Sequence, residues 1–178
     1  MLKNLLTILL LLLYASTYAA DSDTAKEDYR SYAGIRTEIG WNEPWYASLG
    51  FSYHMHMTQY GGTHGMAIAS MVYYLSGDVH FGTANKGGQT FYGYKTGVEF
   101  TLNGLLAGVE IKGLTDFSSG IIQTYCTPKV GFGFGYINLH YGYNTFRDAK
   151  NTYAIGRHQV ALSINFSPKM IKELKNEK

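Results

Sequence analysis

A chain of 178 residues allows one domain of ordinary size, and 21 Gly and 16 Tyr against 3 Pro favour short strands and turns over helices. A formal charge of +2, with no basic cluster before the extreme C-terminus, removes the electrostatic case for nucleic acid as a partner. Cys126 is the single cysteine, which excludes an intramolecular disulfide, a zinc knuckle and a redox pair.

Residues 1–20 read as a secretory signal peptide. Lys3 supplies the positive end, Leu5 to Leu13 the apolar core, and Thr17-Tyr18-Ala19 or Tyr18-Ala19-Ala20 a small-residue cleavage site. The apolar run is about half of the ~20 residues that a helical span needs. No cysteine follows it, so a lipoprotein anchor is not expected. Residues 21–28 are acidic and without periodicity, and read as a flexible lead-in. A barrel domain is expected over 29–167, and a Lys-rich tail over 168–178.

From Tyr29 the chain alternates with period two. A first strand near Tyr32–Trp41 sets Ile35, Ile39 and Trp41 against Gly34, Arg36, Glu38 and Gly40. After Asn42-Glu43-Pro44, a second near Trp45–Met57 sets Leu49, Phe51, Tyr53 and Met55 against Ser48, Gly50, Ser52, His54 and His56. A third, near Met66–Leu75, is apolar on both sides, so its facing is ambiguous. Ser76–Thr90 reads as a long loop. Phe91 to Leu114 then forms a hairpin about Asn103-Gly104, the dipeptide of a two-residue type I′ turn. That turn sets Leu102 opposite Leu105 and Lys95 opposite Lys112, with Glu110 diagonal to Lys95 and able to lie between the two ammonium groups. After a second long loop, Thr115–Thr127, Lys129–Phe146 supplies strands six and seven around Gly135-Tyr136. Its register pairs Phe134 with Ile137, Phe132 with Leu139 and Val130 with Tyr141. A third long loop, Arg147–Gly156, precedes strand eight at Arg157–Phe166.

Eight such strands in an up-and-down meander place the three long loops at one end and short turns at the other. Apart from the ambiguous third strand, each has one apolar face and one small or polar face, which in the Phe91–Leu114 hairpin is glycine interleaved with charge. A soluble barrel would fill a water-facing surface with Lys, Glu, Thr and Gln, whereas glycine belongs where room is short, in the interior of an eight-stranded barrel. The charges on that face nearly balance: Arg36, Lys95, Lys112 and Lys129 against Glu38, Glu99 and Glu110. Aromatics gather at the strand ends, in the manner of interfacial girdles. The expected fold is therefore all-β, an eight-stranded antiparallel up-and-down transmembrane β-barrel. The alternative is a secreted lipocalin-like barrel turned the other way, carrying an apolar ligand.

On this pattern from Tyr29 to Phe166 the chain resembles the small eight-stranded outer-membrane barrels of Gram-negative bacteria, the OmpX and OmpA-barrel architecture. Val160 to Phe166, alternating and ending in an aromatic, looks like the terminal insertion signal of that class. The GFGFGY and YGYN elements look like uncharacterised Bacteroidetes barrel proteins. The resemblance implies a place in the outer membrane, contact with its lipid, and no particular activity.

Metal chemistry is not expected, and a lipid-modifying outer-membrane enzyme is the alternative to a non-enzymatic role. His54 and His56, with His64 beyond the turn, have the spacing to share a metal ion, but no acidic residue or cysteine lies near in sequence. Some eight-stranded barrels are lipid A deacylases with a His-x-Ser motif, and that motif is absent after His158, whose neighbours are Gln159 and Val160; Ser163 falls on the other face. Glu99 and Glu110 read as salt-bridge partners before they read as an acid/base pair. The expectation is a monomer without cofactor. Its lumen is packed by Arg36, Glu38, Lys95, Glu99, Glu110 and Lys112. Its role is structural, or is recognition of a surface protein or glycan through loop aromatics Phe81, Phe117 and Tyr153.

Overall fold

The computed structural model describes residues 26–60, 67–82, 90–115, 117, 122–134, 136–146 and 155–169. The strands are β1 (Lys26–Trp41), β2 (Trp45–Tyr60), β3 (Ala67–His80), β4 (Phe91–Leu102), β5 (Leu105–Thr115), β6 (Gln123–Phe134), β7 (Ile137–Tyr143, resuming in the same register as Thr145–Phe146) and β8 (His158–Phe166). Each pairs antiparallel with its sequence neighbour, and β8 pairs with β1, so the sheet closes into an eight-stranded barrel.

The expected hairpin registers hold. Leu102 faces Leu105 and Lys95 faces Lys112 across β4–β5, while Phe134 faces Ile137 and Val130 faces Tyr141 across β6–β7. Asn103 and Gly104 both take positive φ, 47° and 88°, as a type I′ turn demands. The Asn103 side chain also accepts from Ile68 N–H at 3.0 Å, and its own N–H donates to Ile68 O at 2.9 Å, which fastens this turn to the start of β3.

Strand ends differ from expectation in three places. Lys26–Asp28, expected in the lead-in, open β1. Ser76–His80 and Gln123–Thr127, expected in loops, belong to β3 and β6. Glycine, serine and aspartate mask a strand in a sequence reading, yet Gly77 and Asp78 pair regularly with Leu49 and Ser48. The ambiguous third strand turns Val72, Tyr74, Ser76, Asp78 and His80 inward and Tyr73 and Leu75 outward.

The registers also fix the tilt. A circuit of paired residues that leaves β1 at Arg30 passes His56, Ser70, Thr101, Leu106, Gly131, His140 and Ala161 and returns to β1 at Gly40, ten residues on. A stagger of ~33 Å over a width of ~38 Å tilts the strands by roughly 41° from the barrel axis. Strands β4 to β8 then span roughly 22–30 Å along that axis. β1 and β2, of 16 residues each, run further. Because β8 meets β1 only from Ile35 onward, β1, β2 and the start of β3 form a flap that extends up to roughly 20 Å past the other strands at the short-turn end.

Candidate functional site

The interior is polar and the exterior apolar. Leu49, Phe51, Tyr53, Leu75, Tyr94, Ile111, Phe132, Leu139 and Leu162 all face outward, Phe51 with 74% of its surface exposed. Arg36, Lys95, Glu99 and Glu110 face inward and are 0% exposed, with Lys112 and Lys129 at 2%. Any barrel with this alternation would place them so; what the tertiary fold adds is who meets whom.

Arg36 is the hub. Its guanidinium donates to Glu99 at 2.6 and 3.0 Å and to Glu38 at 2.9 Å, and stacks 4.1 Å from the Tyr74 ring centroid. Lys95 donates to Glu38 at 2.7 Å and lies 3.4 Å from Asp78. Glu110 sits between the facing lysines, 4.0 Å from Lys95 and 3.6 Å from Lys112. Lys129 bridges Glu110 at 2.9 Å and Glu99 at 3.2 Å, and Lys112 donates to Gln159. The tyrosines join in, Tyr46 donating to Glu38 and Tyr74 to Glu110, both at 2.7 Å.

Asp78 is the member that the sequence reading missed, because it lay in an expected loop. With it the network among the described residues holds four cations, Arg36, Lys95, Lys112 and Lys129, and four anions, Glu38, Asp78, Glu99 and Glu110. Neutrality matters here, since an isolated charge in such an interior is prohibitively costly. Tyr46 and Tyr74 were missed too. Their signal is the glycine opposite: a Cβ on Gly40 would stand 2.5 Å from the Tyr46 ring, and one on Gly97 would collide with the Tyr74 hydroxyl. Glycine makes room for an inward tyrosine.

An apolar cluster lies above this network at the loop end. Phe91, Leu114 and Tyr125 form an apolar cluster completed by Ile155, from the end of the third long loop. Gly156 is held there by its N–H to Asn42 O at 2.7 Å and by Asn144 Nδ2 to its carbonyl at 2.8 Å. A Cβ on Gly156 would lie 2.8 Å from the Asn42 oxygen, so the approach requires glycine.

Ligand atoms of Glu38, Glu99 and His140 lie within 4.8 Å of one another. Both carboxylates are already bound to Arg36, and Lys95 and Lys129 contact them as well. A metal cation there would be surrounded by positive charge, so the set is suited to ion pairing. His54 is buried and bonded to Ser52 at 3.0 Å, His56 is half-buried, and His64 lies outside the described residues. His158 is exposed on the outer face, in contact with the Tyr141 hydroxyl, whereas Ser163 is fully buried in the lumen. The strand separates them. Of the loop aromatics, Phe81 and Phe117 are exposed, and Phe117 packs against Tyr92 at 5.2 Å between ring centroids. Tyr153 lies outside the described residues.

No family model matches the chain, and neither does any curated protein or solved structure.

Proposed function

We propose that this chain is an integral outer-membrane β-barrel of a Gram-negative bacterium, exported through a cleaved signal peptide, whose lumen is a plug and not a pore. The observation that carries the reading is the inverted polarity: an apolar surface runs around the barrel, and an internally neutralised charge network fills it. Soluble monomers rarely expose contiguous apolar patches beyond a few hundred Å², and this one covers the outer face of every strand. The closed section, roughly 22–30 Å tall, suits the ~25 Å apolar band of such barrels. Trp41 and Trp45, paired at the loop end and both exposed, suit a membrane–water boundary.

The role is structural or recognition by the loops, acting as a monomer without enzyme activity. Exposed Phe81 and Phe117, amid Gly, Ser and Asn, suit adaptable contact with a surface protein or glycan. A soluble carrier gains nothing from an interior that salt bridges fill among the described residues. The test is fractionation with gel migration before and after boiling. The protein should extract only with detergent and run faster unboiled; recovery in the soluble periplasmic fraction would overturn the reading.

A further inference from the structure

The outer face of the wall changes shape where the flap leaves the closed barrel. Higher up, the outward side chains stand clear of their neighbours, Phe51 at 74% and Leu75 at 59% exposed. Toward the short-turn end, Ala69 is only 7% exposed although it faces outward, and Met57 and Met71 are half-buried. They lie in an open apolar groove of about 390 Å³ whose lining includes Tyr29, Tyr53, Met55, Met57, Met71 and Phe100. The registers give its dimensions. Ser31, Met55, Met71 and Phe100 form one line of paired residues across β1 to β4, ~14 Å wide, while Tyr53 to Met57 runs ~13 Å along β2. Phe100 is close to the β4–β5 turn, and Tyr29 lies past Ile35, where the pairing of β1 with β8 stops. The groove therefore straddles the lower rim of the closed section.

We propose, on the membrane-barrel reading above, that this groove binds one acyl chain of a phospholipid from the bilayer leaflet at the short-turn end. It is a shaped site within a wall that otherwise meets lipid in general. Size argues for a chain and against a protein. A footprint of roughly 180 Å² falls far short of the ~800 Å² that each partner of a stable protein interface buries. At ~30 Å³ for a group the size of water, the groove holds one chain of about a dozen methylenes. Chemistry points the same way. Met55, Met57 and Met71 are unbranched and polarizable, so they follow the shape of a flexible chain better than branched side chains do. Continuity sets the direction. Above Tyr53 the same face runs on as Phe51, paired with Leu75, so a chain anchored in the bilayer reaches the groove without leaving apolar surface. The glycerol end then lies toward Tyr29, whose apolar body and polar tip suit the headgroup level.

Photo-crosslinking of the full chain tests this. The protein is reconstituted in phosphatidylethanolamine/phosphatidylglycerol vesicles that contain a phosphatidylethanolamine with a diazirine along one acyl chain, and adducts are mapped by mass spectrometry. Leu105 and Phe166 are the comparison, because they face outward at the same rim and are more exposed than Met57 and Met71. Adducts on Met55, Met57 and Met71 should exceed those on Leu105 and Phe166 by at least ~10-fold. Ala69→Trp fills the groove and should lower the methionine adducts several-fold while leaving Leu105 and Phe166 unchanged. Met71→Asn, read on Met55 and Met57, serves the same end should Ala69→Trp fail to fold, with heat-modified gel migration as the control. Equal adduct yields at the groove and at the comparison residues would overturn the site while leaving the membrane reading intact. Failure of the protein to float with the vesicles would overturn the membrane reading and the site together. Labelling of the groove by a diazirine-bearing free fatty acid, but not by the phospholipid, would overturn the phospholipid assignment in favour of the free acid.

Discussion

Glu99 shows how much one residue of the lumen decides. Its two oxygens receive Arg36, Lys129 and Asn138, and its charge is one of those that balance the buried cations. Glu99→Gln keeps the shape and deletes the charge, leaving Arg36 and Lys129 in a network with an uncompensated positive charge. Removing one partner of a buried pair typically costs about 3–5 kcal/mol. We expect a loss of that order in urea unfolding followed by Trp41 and Trp45 fluorescence, and partial recovery when Lys129→Met is added. A loss below ~1 kcal/mol for Glu99→Gln would mean that water reaches the lumen and screens its charges.

Among elements, the β4–β5 hairpin and the long loops make opposite demands. Gly104 at φ 88° tolerates no side chain without strain, and its carbonyl also accepts from Gly133 N–H at 2.9 Å. Gly104→Ala should therefore destabilise by about 1–2 kcal/mol in the same titration. The long loops are expected to be dispensable for folding. Replacing 81–90, 116–122 and 147–153 with short Gly/Asn turns should leave a folded, heat-modifiable barrel while abolishing any surface-recognition phenotype. Ile155 and Gly156 must be kept, because Ile155 packs with Phe91, Leu114 and Tyr125 and Gly156 is hydrogen-bonded to Asn42. A loopless barrel with full cellular activity would move the function to the wall or to the C-terminal segment.

At the scale of the whole molecule, a stagger of ten residues round eight strands leaves an interior that side chains can fill, and Arg36, Tyr46, Tyr74, Lys95, Lys112 and Lys129 fill it. Planar-bilayer recording of the pure protein should accordingly show no steady open channel. Reproducible large conductance would contradict the packed lumen. With so many side chains packed across the lumen, single substitutions in the network are expected to lower stability before they create a conductive path.

The sequence alone determined the strand class, the hairpin turns, the two faces and most of the buried charges. Each follows from local chemistry: period-two alternation, the φ > 0 tolerance of Asn103-Gly104, and the fixed antiparallel geometry that sets Lys95 opposite Lys112. Glu110 between those lysines was legible for the same reason. Closure was not. The pairing of β8 with β1, the stagger that makes the flap, and the meeting of Arg36 with Glu99 across 63 positions depend on contacts that no window of sequence contains. Asp78 and the inward facing of β3 were hidden because Ser, Gly and Asp have loop propensity, and only pairing with β2 and β4 overrides it. Ile155 reads as a loop residue until the barrel beneath it offers three apolar side chains, since burial belongs to the assembled fold and not to the segment.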